Sequence, residues 1–385
     1  MRTVARLGLV GAACIALLLY LAHSTSPHAH SSTIKRRVRR IRDIPAFLAA
    51  RSDASAAQLA ALAKMPIMRD EIELDTPNVT DRRVLLTLAH MATEAYYRTP
   101  DPIPDAPQWH WSSAFGWDKE GLRGHVFATQ NNETVVVALK GTSASFLPGG
   151  ATGGSDKEND NLLFSCCCAR VTDAWSPVCD CFDALHKCDT QCVGRALIDR
   201  SLYYPAATEL YNNMSYMYPH SQLWITGHSL GGVIGGFMGI TFGVPAVTFE
   251  TPGDRIAAER LHLPLPPPSY SDAEAYALAP VTHVYHTADA LATGQCVGAN
   301  SLCSRTGFAI ETKCHTGQSI VYDTVGKLSW GVGVLSHRIV YVMEELLSVD
   351  WDVLVRRHGG KEQLPPVPDP ARESACQDCS SWSFT

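Results

Sequence analysis

The chain has 385 residues, 46% hydrophobic and 18% charged, a composition that excludes a collagen, a disordered tail protein and a polytopic membrane protein. Residues 1–42 hold eight basic side chains and no acidic one, so beyond that point 38 acidic groups stand against 24 basic ones, a net charge of −14. A body of that sign excludes a nucleic-acid binder.

Leu7 to Ala22 runs 16 residues without a charge, behind Arg2 and Arg6. Such a segment is an entry signal to the secretory pathway. At about 1.5 Å per residue it falls slightly short of the roughly 30 Å hydrocarbon core, and snorkelling by Arg6 extends it. Cleavage after Ala22 would set bulky Tyr20 three residues before the cut, where small residues are needed, so a retained membrane anchor is expected over 1–22. The basic run Lys35, Arg36, Arg37, Arg39, Arg40, Arg42 reads as a contact for anionic headgroups or as a solvated linker. It lies within an expected luminal stalk, 23–78, that carries an Ala-rich helical stretch near 45–64.

From Val79 the texture changes, and 79–350 reads as one α/β domain. Apolar residues at helical spacing (Leu85, Leu88, Ala92, Ala95) predict a helix over Val84 to Tyr97, and Val126 to Thr129 with Thr134 to Leu139 reads as a hairpin. Strand Leu223 to Thr226, the Gly-rich helix Val233 to Thr241, strand Val244 to Phe249 and strand Val281 to Tyr285 follow. That alternation predicts a mostly parallel sheet with helices on both faces. Residues 351–385, with Pro365, Pro366, Pro368 and Pro370, read as a Pro-rich tail that Cys376 and Cys379 clip to the rest.

Of thirteen cysteines, Cys14 falls in the anchor and twelve remain. Seven crowd between Cys166 and Cys192, within an expected insertion 143–195, and an even number in a secretory chain predicts disulfides. The spacing lacks paired C-x-x-C knuckles, which argues against a metal cluster. Pairing is not legible from spacing. Sequons at Asn78, Asn132 and Asn213 point to the same lumen and to glycosylation.

The strongest chemical signal is Gly227-His228-Ser229-Leu230-Gly231-Gly232, a G-x-S-x-G set between a strand and a helix. Such a turn holds Ser229 in strained geometry and lifts its Oγ above the sheet. The helix N-terminus and the Leu230 N–H then face a developing oxyanion. A serine nucleophile in this setting needs an acid and then a base later in the chain. Asp289, in a loop four residues past a strand, is preferred to Asp254. Among the later histidines, His283 sits mid-strand, His286 lies too close to Asp289 and His315 neighbours an expected disulfide; His358 lies in the tail. His337, after the Gly331-Val332-Gly333 loop, suits a mobile ring delivered to the site. Thr142, in the Lys140-Gly141-Thr142-Ser143 segment after a strand, is the candidate second oxyanion donor.

The strand-GTS segment, the GHSLGG elbow, the Phe249-Glu250-Thr251-Pro252-Gly253 turn and the later Asp and His together resemble class 3 lipases of the α/β-hydrolase fold, over about 80–350. Gly121-Leu122-Arg123-Gly124-His125-Val126-Phe127, the Cys166-Cys167-Cys168 cluster and the single anchor narrow this to the fungal autophagy-related lipases. The resemblance implies Ser229, Asp289 and His337 as a charge relay. It also implies a type II membrane glycoprotein that travels through endoplasmic reticulum, Golgi and multivesicular endosomes to the vacuole. Its expected substrates there are membrane phospholipids, phosphatidylserine among them, in autophagic bodies and multivesicular-body vesicles. Acyl-ester hydrolysis of this kind calls for no metal or cofactor.

The motif specifies acyl transfer and not the headgroup, so a triacylglycerol lipase or esterase is the nearest alternative, and a membrane-tethered lipid-binding module on a dead hydrolase fold the other. An imidazole base must be neutral to accept a proton. Its free pKa is about 6.5 and a carboxylate raises it, so the rate is expected to fall towards acid pH unless burial intervenes.

Overall fold

The computed structural model describes residues 32–52, 54–65, 67–118, 121–143, 152–171, 176–183, 186–200, 203–265, 279–373 and 375–385. The expected anchor and Cys14 lie outside them. Among the described residues no helix is long and apolar enough to cross a membrane.

From Thr33 on, the expected stalk is a folded element. Strand β1 (Thr33–Ile41) pairs antiparallel with β2 (Arg69–Pro77), the connection carrying helices Ile44–Ser52 and Ala56–Ala63. Charge explains why the basic run is no free linker: β2 is acidic where β1 is basic. Arg39 meets Glu71 at 3.0 Å, Lys35 meets Asp75 at 3.4 Å and Arg42 meets Asp70 at 2.6 Å. Exposed pairs of this kind contribute about 0–1 kcal/mol each, so docking adds its own contacts. Trp224 donates Nε1–H to the Asp75 carbonyl at 3.0 Å, and Arg40 donates to the Tyr211 hydroxyl at 2.9 Å.

The domain is built on a seven-stranded sheet. In chain order its strands are β3 (Trp109–Phe115), β4 (Gly124–Thr129) and β5 (Thr134–Leu139), then, after the short β6 (Lys187–Cys188), β7 (Gln222–His228), β8 (Ala246–Phe249), β9 (Val281–His286) and β10 (Gln318–Tyr322). The spatial order is β10-β9-β8-β7-β5-β4-β3. From β5 to β10 neighbours are parallel, while β3, β4 and β5 are antiparallel. Alternate residues of β5 serve opposite faces: Val135, Val137 and Leu139 join one core, Val136 and Ala138 the other. The first core is closed by helices Leu230–Phe242 and Tyr203–Met217, the second by helix Arg82–Glu94 and by Ile339 to Val355. This is the mostly parallel, doubly covered sheet the alternation predicts. Past His337 the chain forms a short α-turn, Ile339–Tyr341, followed by a π-helical turn, Val342–Leu346. The wider turn lets Val342, Met343, Leu346 and Leu347 all reach the core.

Twelve cysteines form six disulfides: Cys166–Cys379, Cys167–Cys188, Cys168–Cys179, Cys181–Cys192, Cys296–Cys303 and Cys314–Cys376. The insertion carries the expected disulfides, and its described part is tied into the domain. Its helix Gly153–Phe164 buries Leu162, Leu163 and Phe164 in the first core. The tail is fastened too. Trp351, Leu354, Val355 and Val367 are buried, and β11 (Ser383–Phe384) pairs parallel with β6.

An ion pair secures the same tail. His315, fully buried, shares a proton with Glu373 at 2.7 Å through Nδ1 and donates Nε2–H to the Thr251 carbonyl at 2.8 Å. Burial alone would lower the imidazole pKa, but the hydrogen bond and charge of Glu373 outweigh it and raise it. Against its own burial, Glu373 is driven down to about 2 by the hydrogen bond and charge of His315. The raised His315 stabilises fully below its ordinary 6.5 and loses that contribution as pH rises through its folded value. The depressed Glu373 stabilises above its ordinary 4.5 and loses it as pH falls through about 2. Glu373→Gln is therefore expected to cost about 3 kcal/mol at about pH 5.5 and clearly less at about pH 9, read from urea unfolding. An equal loss at both would mean that the pair carries no charge.

Candidate active site

The elbow forms where β7 meets helix Leu230–Phe242. Ser229 adopts φ 56° and ψ −129°, a region that L-residues with a Cβ avoid. The surroundings enforce it: a Cβ on Gly231 would fall 2.4 Å from the Leu139 carbonyl oxygen, and one on Gly141 would fall 2.4 Å from that of His228. The turn thus packs against the end of β5 with backbone on backbone, and the Ser229 N–H donates to the Phe249 carbonyl at 3.0 Å.

Asp289 and His337 arrive on two loops that brace one another. Gly333 N–H donates to the Ala288 carbonyl at 3.0 Å, and Ser336 donates its hydroxyl to the same carbonyl at 2.8 Å. His286 donates Nε2–H to the Ser336 carbonyl at 3.1 Å. The loop expected to deliver a mobile ring is therefore pinned. His337 Nδ1–H donates to Asp289 Oδ2 at 2.7 Å, and Ser229 Oγ–H donates to His337 Nε2 at 2.9 Å, the tautomer following from the network. Asp289 is fully buried. Burial alone would raise its pKa; the His337 charge, with hydrogen bonds from His337, Glu250 and the Leu291 N–H, holds it below the usual carboxylate range.

Every residue of the expected relay is brought together, and the other candidates are occupied elsewhere. Asp254 accepts from the N–H and hydroxyl of Thr316 at 2.7 and 2.8 Å. His283 lies among the hydroxyls of Thr248 and Thr251 at 2.8 and 3.0 Å, and His358 bonds the Leu354 carbonyl.

For the oxyanion, Leu230 opens the helix, so its N–H has no intrahelical acceptor. Thr142 follows Gly141 at the elbow and bonds Asp160 Oδ2 at 2.7 Å. Burial, only partly offset by that bond and by Lys140, pushes Asp160 up to about 8. Lys140 pairs with buried Asp156 at 3.2 Å, so the insertion helix holds the oxyanion segment from behind.

Sequence reasoning passed over His228. It is buried behind the relay, accepting at Nδ1 from the Tyr96 hydroxyl at 2.7 Å and donating Nε2–H to the His337 carbonyl at 2.7 Å. Burial, then the His337 charge, push it down to about 3, so it stays neutral as a strut. Its place beside Ser229 in the motif was the available signal. Among the sequons, Asn132 and Asn213 are exposed, and Asn78 is half-buried with the Thr80 hydroxyl donating to its Oδ1 at 2.8 Å. The sulfurs of Cys168, Cys179 and Cys181 cluster within 4.8 Å, but all are consumed in disulfides.

No protein-family model matches the chain. It is 44% identical to a lipase ATG15 of Mycosarcoma maydis, over 92% of the chain and 76% of that relative. It is 50% identical to one of Cryptococcus neoformans, over 82% of the chain and 69% of the relative. The chain belongs to the ATG15 lipase family. A further ATG15 relative, from Candida albicans, is 42% identical, and the chain spans about half of its length, 52%. Among solved structures, the Lip2 lipase of Yarrowia lipolytica is 14% identical with a TM-score of 0.33, over 63% of this chain and 78% of that one.

Proposed function

We propose that this ATG15-family chain is a serine-dependent lipase that hydrolyses acyl esters of membrane phospholipids. The observation that carries the reading is the Ser229–His337–Asp289 relay, at 2.9 and 2.7 Å, on a strained elbow. Ser229 Oγ attacks the ester carbonyl as its proton passes to His337 Nε2. Asp289 stays ionised and stabilises the imidazolium. The Leu230 N–H and Thr142 donate to the oxyanion, and His337 returns the proton to the leaving alcohol. Water, activated by His337, then frees the fatty acid from Ser229. Six disulfides support a lumenal setting. The proposed residence is that of a single-pass type II protein of Golgi and multivesicular endosomes, delivered to the vacuole to lyse autophagic bodies and multivesicular-body vesicles.

The test is fatty-acid release by the full chain from phosphatidylserine and phosphatidylcholine liposomes, beside a triacylglycerol emulsion, with Ser229→Ala as control. Release from liposomes that vanishes with Ser229 is the expected result. Release from the emulsion alone would move the substrate class to triacylglycerols. A chain that Ser229-directed fluorophosphonate does not label would defeat the serine mechanism.

A further inference from the structure

A buried carboxyl group behind the relay has no part in the chemistry just described. Glu250 is the first residue past β8, next to Phe249, whose carbonyl accepts the Ser229 N–H. Its own N–H donates to the Val284 carbonyl of β9 at 2.9 Å, and its φ of 45° is a strained value for a residue with a Cβ. The side chain is fully buried, neither carboxyl oxygen has a hydrogen-bond partner of normal geometry, and the His286 backbone N–H, directed at the group, is its one neighbouring donor that favours the charged form.

The groups that face it are few. His286 Nε2 lies 3.9 Å from Oε1, but that nitrogen's proton already goes to the Ser336 carbonyl. Tyr285, on the same strand, gives its hydroxyl proton to Glu373. No lysine or arginine contributes to its electrostatics among the described residues. What remains is the Asp289 carboxyl group, which acts on Glu250 by its charge and by a side-chain hydrogen bond that one shared proton supplies. Asp289 already accepts from His337 Nδ1–H at 2.7 Å and from the Leu291 N–H at 2.8 Å, so it is the member committed to the charged form.

We infer that Glu250 is a positioning residue carried as the neutral acid, its O–H donating to the Asp289 carboxylate that orients His337. Burial first, then the charge and hydrogen bond of Asp289, push the Glu250 pKa well upward and outweigh the His286 backbone N–H, which pulls it down. The inference rests on the serine-hydrolase reading and adds a consequence for it. A carboxylate that shares a neighbour's proton has less charge to offer the imidazolium formed during the reaction, so the acid limb of the activity is expected to depend on Glu250. His228, close to the His337 ring with centroids 4.8 Å apart, is uncharged and leaves that balance unaltered.

The test compares the full chain with Glu250→Ala and Glu250→Gln, following kcat/KM on a soluble p-nitrophenyl ester from about pH 4 to 8. Glu250→Ala is expected to move the acid limb up by about one unit, roughly a tenfold loss near pH 5 with little change near pH 7.5. Glu250→Gln, whose amide N–H donates as the acid O–H does, should rescue the wild-type limb. The infrared difference between wild type and Glu250→Gln at neutral pH should show the C=O stretch of a protonated carboxyl group. An acid limb that moves down in Glu250→Gln, with no such band, would show an ionised Glu250 and overturn the inference. Should Glu250→Ala not fold, the Gln variant and the band decide. Wild-type chain without Ser229-dependent hydrolysis would sink the enzyme reading alone, since the infrared band reports the Glu250 proton without turnover.

Discussion

Ser229→Ala, His337→Ala and the double variant should each lose about the same factor in kcat on a soluble ester, on the order of 10⁶. The equality matters more than the size. Ser229 and His337 are joined by one proton path at 2.9 Å, so removing either member leaves the other without a task. The residual rate then comes from the oxyanion donors and from binding, about 10³–10⁴ over water. Asp289→Asn keeps the shape but favours the wrong imidazole tautomer, and a loss of about 10⁴ is expected. Losses that add between Ser229→Ala and His337→Ala would show that the two act separately. Near-UV circular dichroism checks that each variant is folded.

The second large effect concerns stability. The Cys314–Cys376 bridge closes a loop with a sequence separation of 62 that contains β10 and His337. The chain entropy released when such a loop opens corresponds to about 4 kcal/mol. The Cys314→Ser/Cys376→Ser double variant should therefore unfold at distinctly lower urea concentration. It should also lose activity at temperatures where the wild type is unaffected, because the loop carrying the base is less confined. An unmoved midpoint would mean that the Glu373–His315 pair and the Cys166–Cys379 bridge already hold the tail without it.

The parts of the fold legible in the sequence are those whose cause is local. Five apolar positions in a row on β5 and three on β7 announce strands buried on two faces, and the flanking strand and helix gave the Ser229 motif its meaning. Asp289 and His337 followed from chain order once Ser229 was placed. The β1–β2 hairpin escaped because only Val38 and Ile41 of β1 are buried. Its pairing is dictated by acidic residues some thirty positions on, and nothing local to β1 encodes it. The same reason hid the disulfide pairing and the bond from Thr142 to Asp160. Glu250 stood in plain view in the Phe249-Glu250-Thr251-Pro252-Gly253 turn, yet a carboxyl residue in a sequence carries no sign of its protonation. That depends on Asp289, brought alongside by β9.

The Cys166–Cys379 bridge also sets a timetable for synthesis. Its partners are 213 residues apart, while Cys167, Cys168 and Cys181 find theirs within 21 residues or fewer. A nascent chain can therefore close three bridges of the insertion soon after that segment enters the lumen, but must carry Cys166 as a free thiol until Cys379 has been translated. During that interval Cys166 adjoins two correctly formed bridges and can attack them by exchange. A nonsense codon anywhere between the two would leave the oxyanion side of the site permanently open to such scrambling, even where the Ser229, Asp289 and His337 codons had all been read.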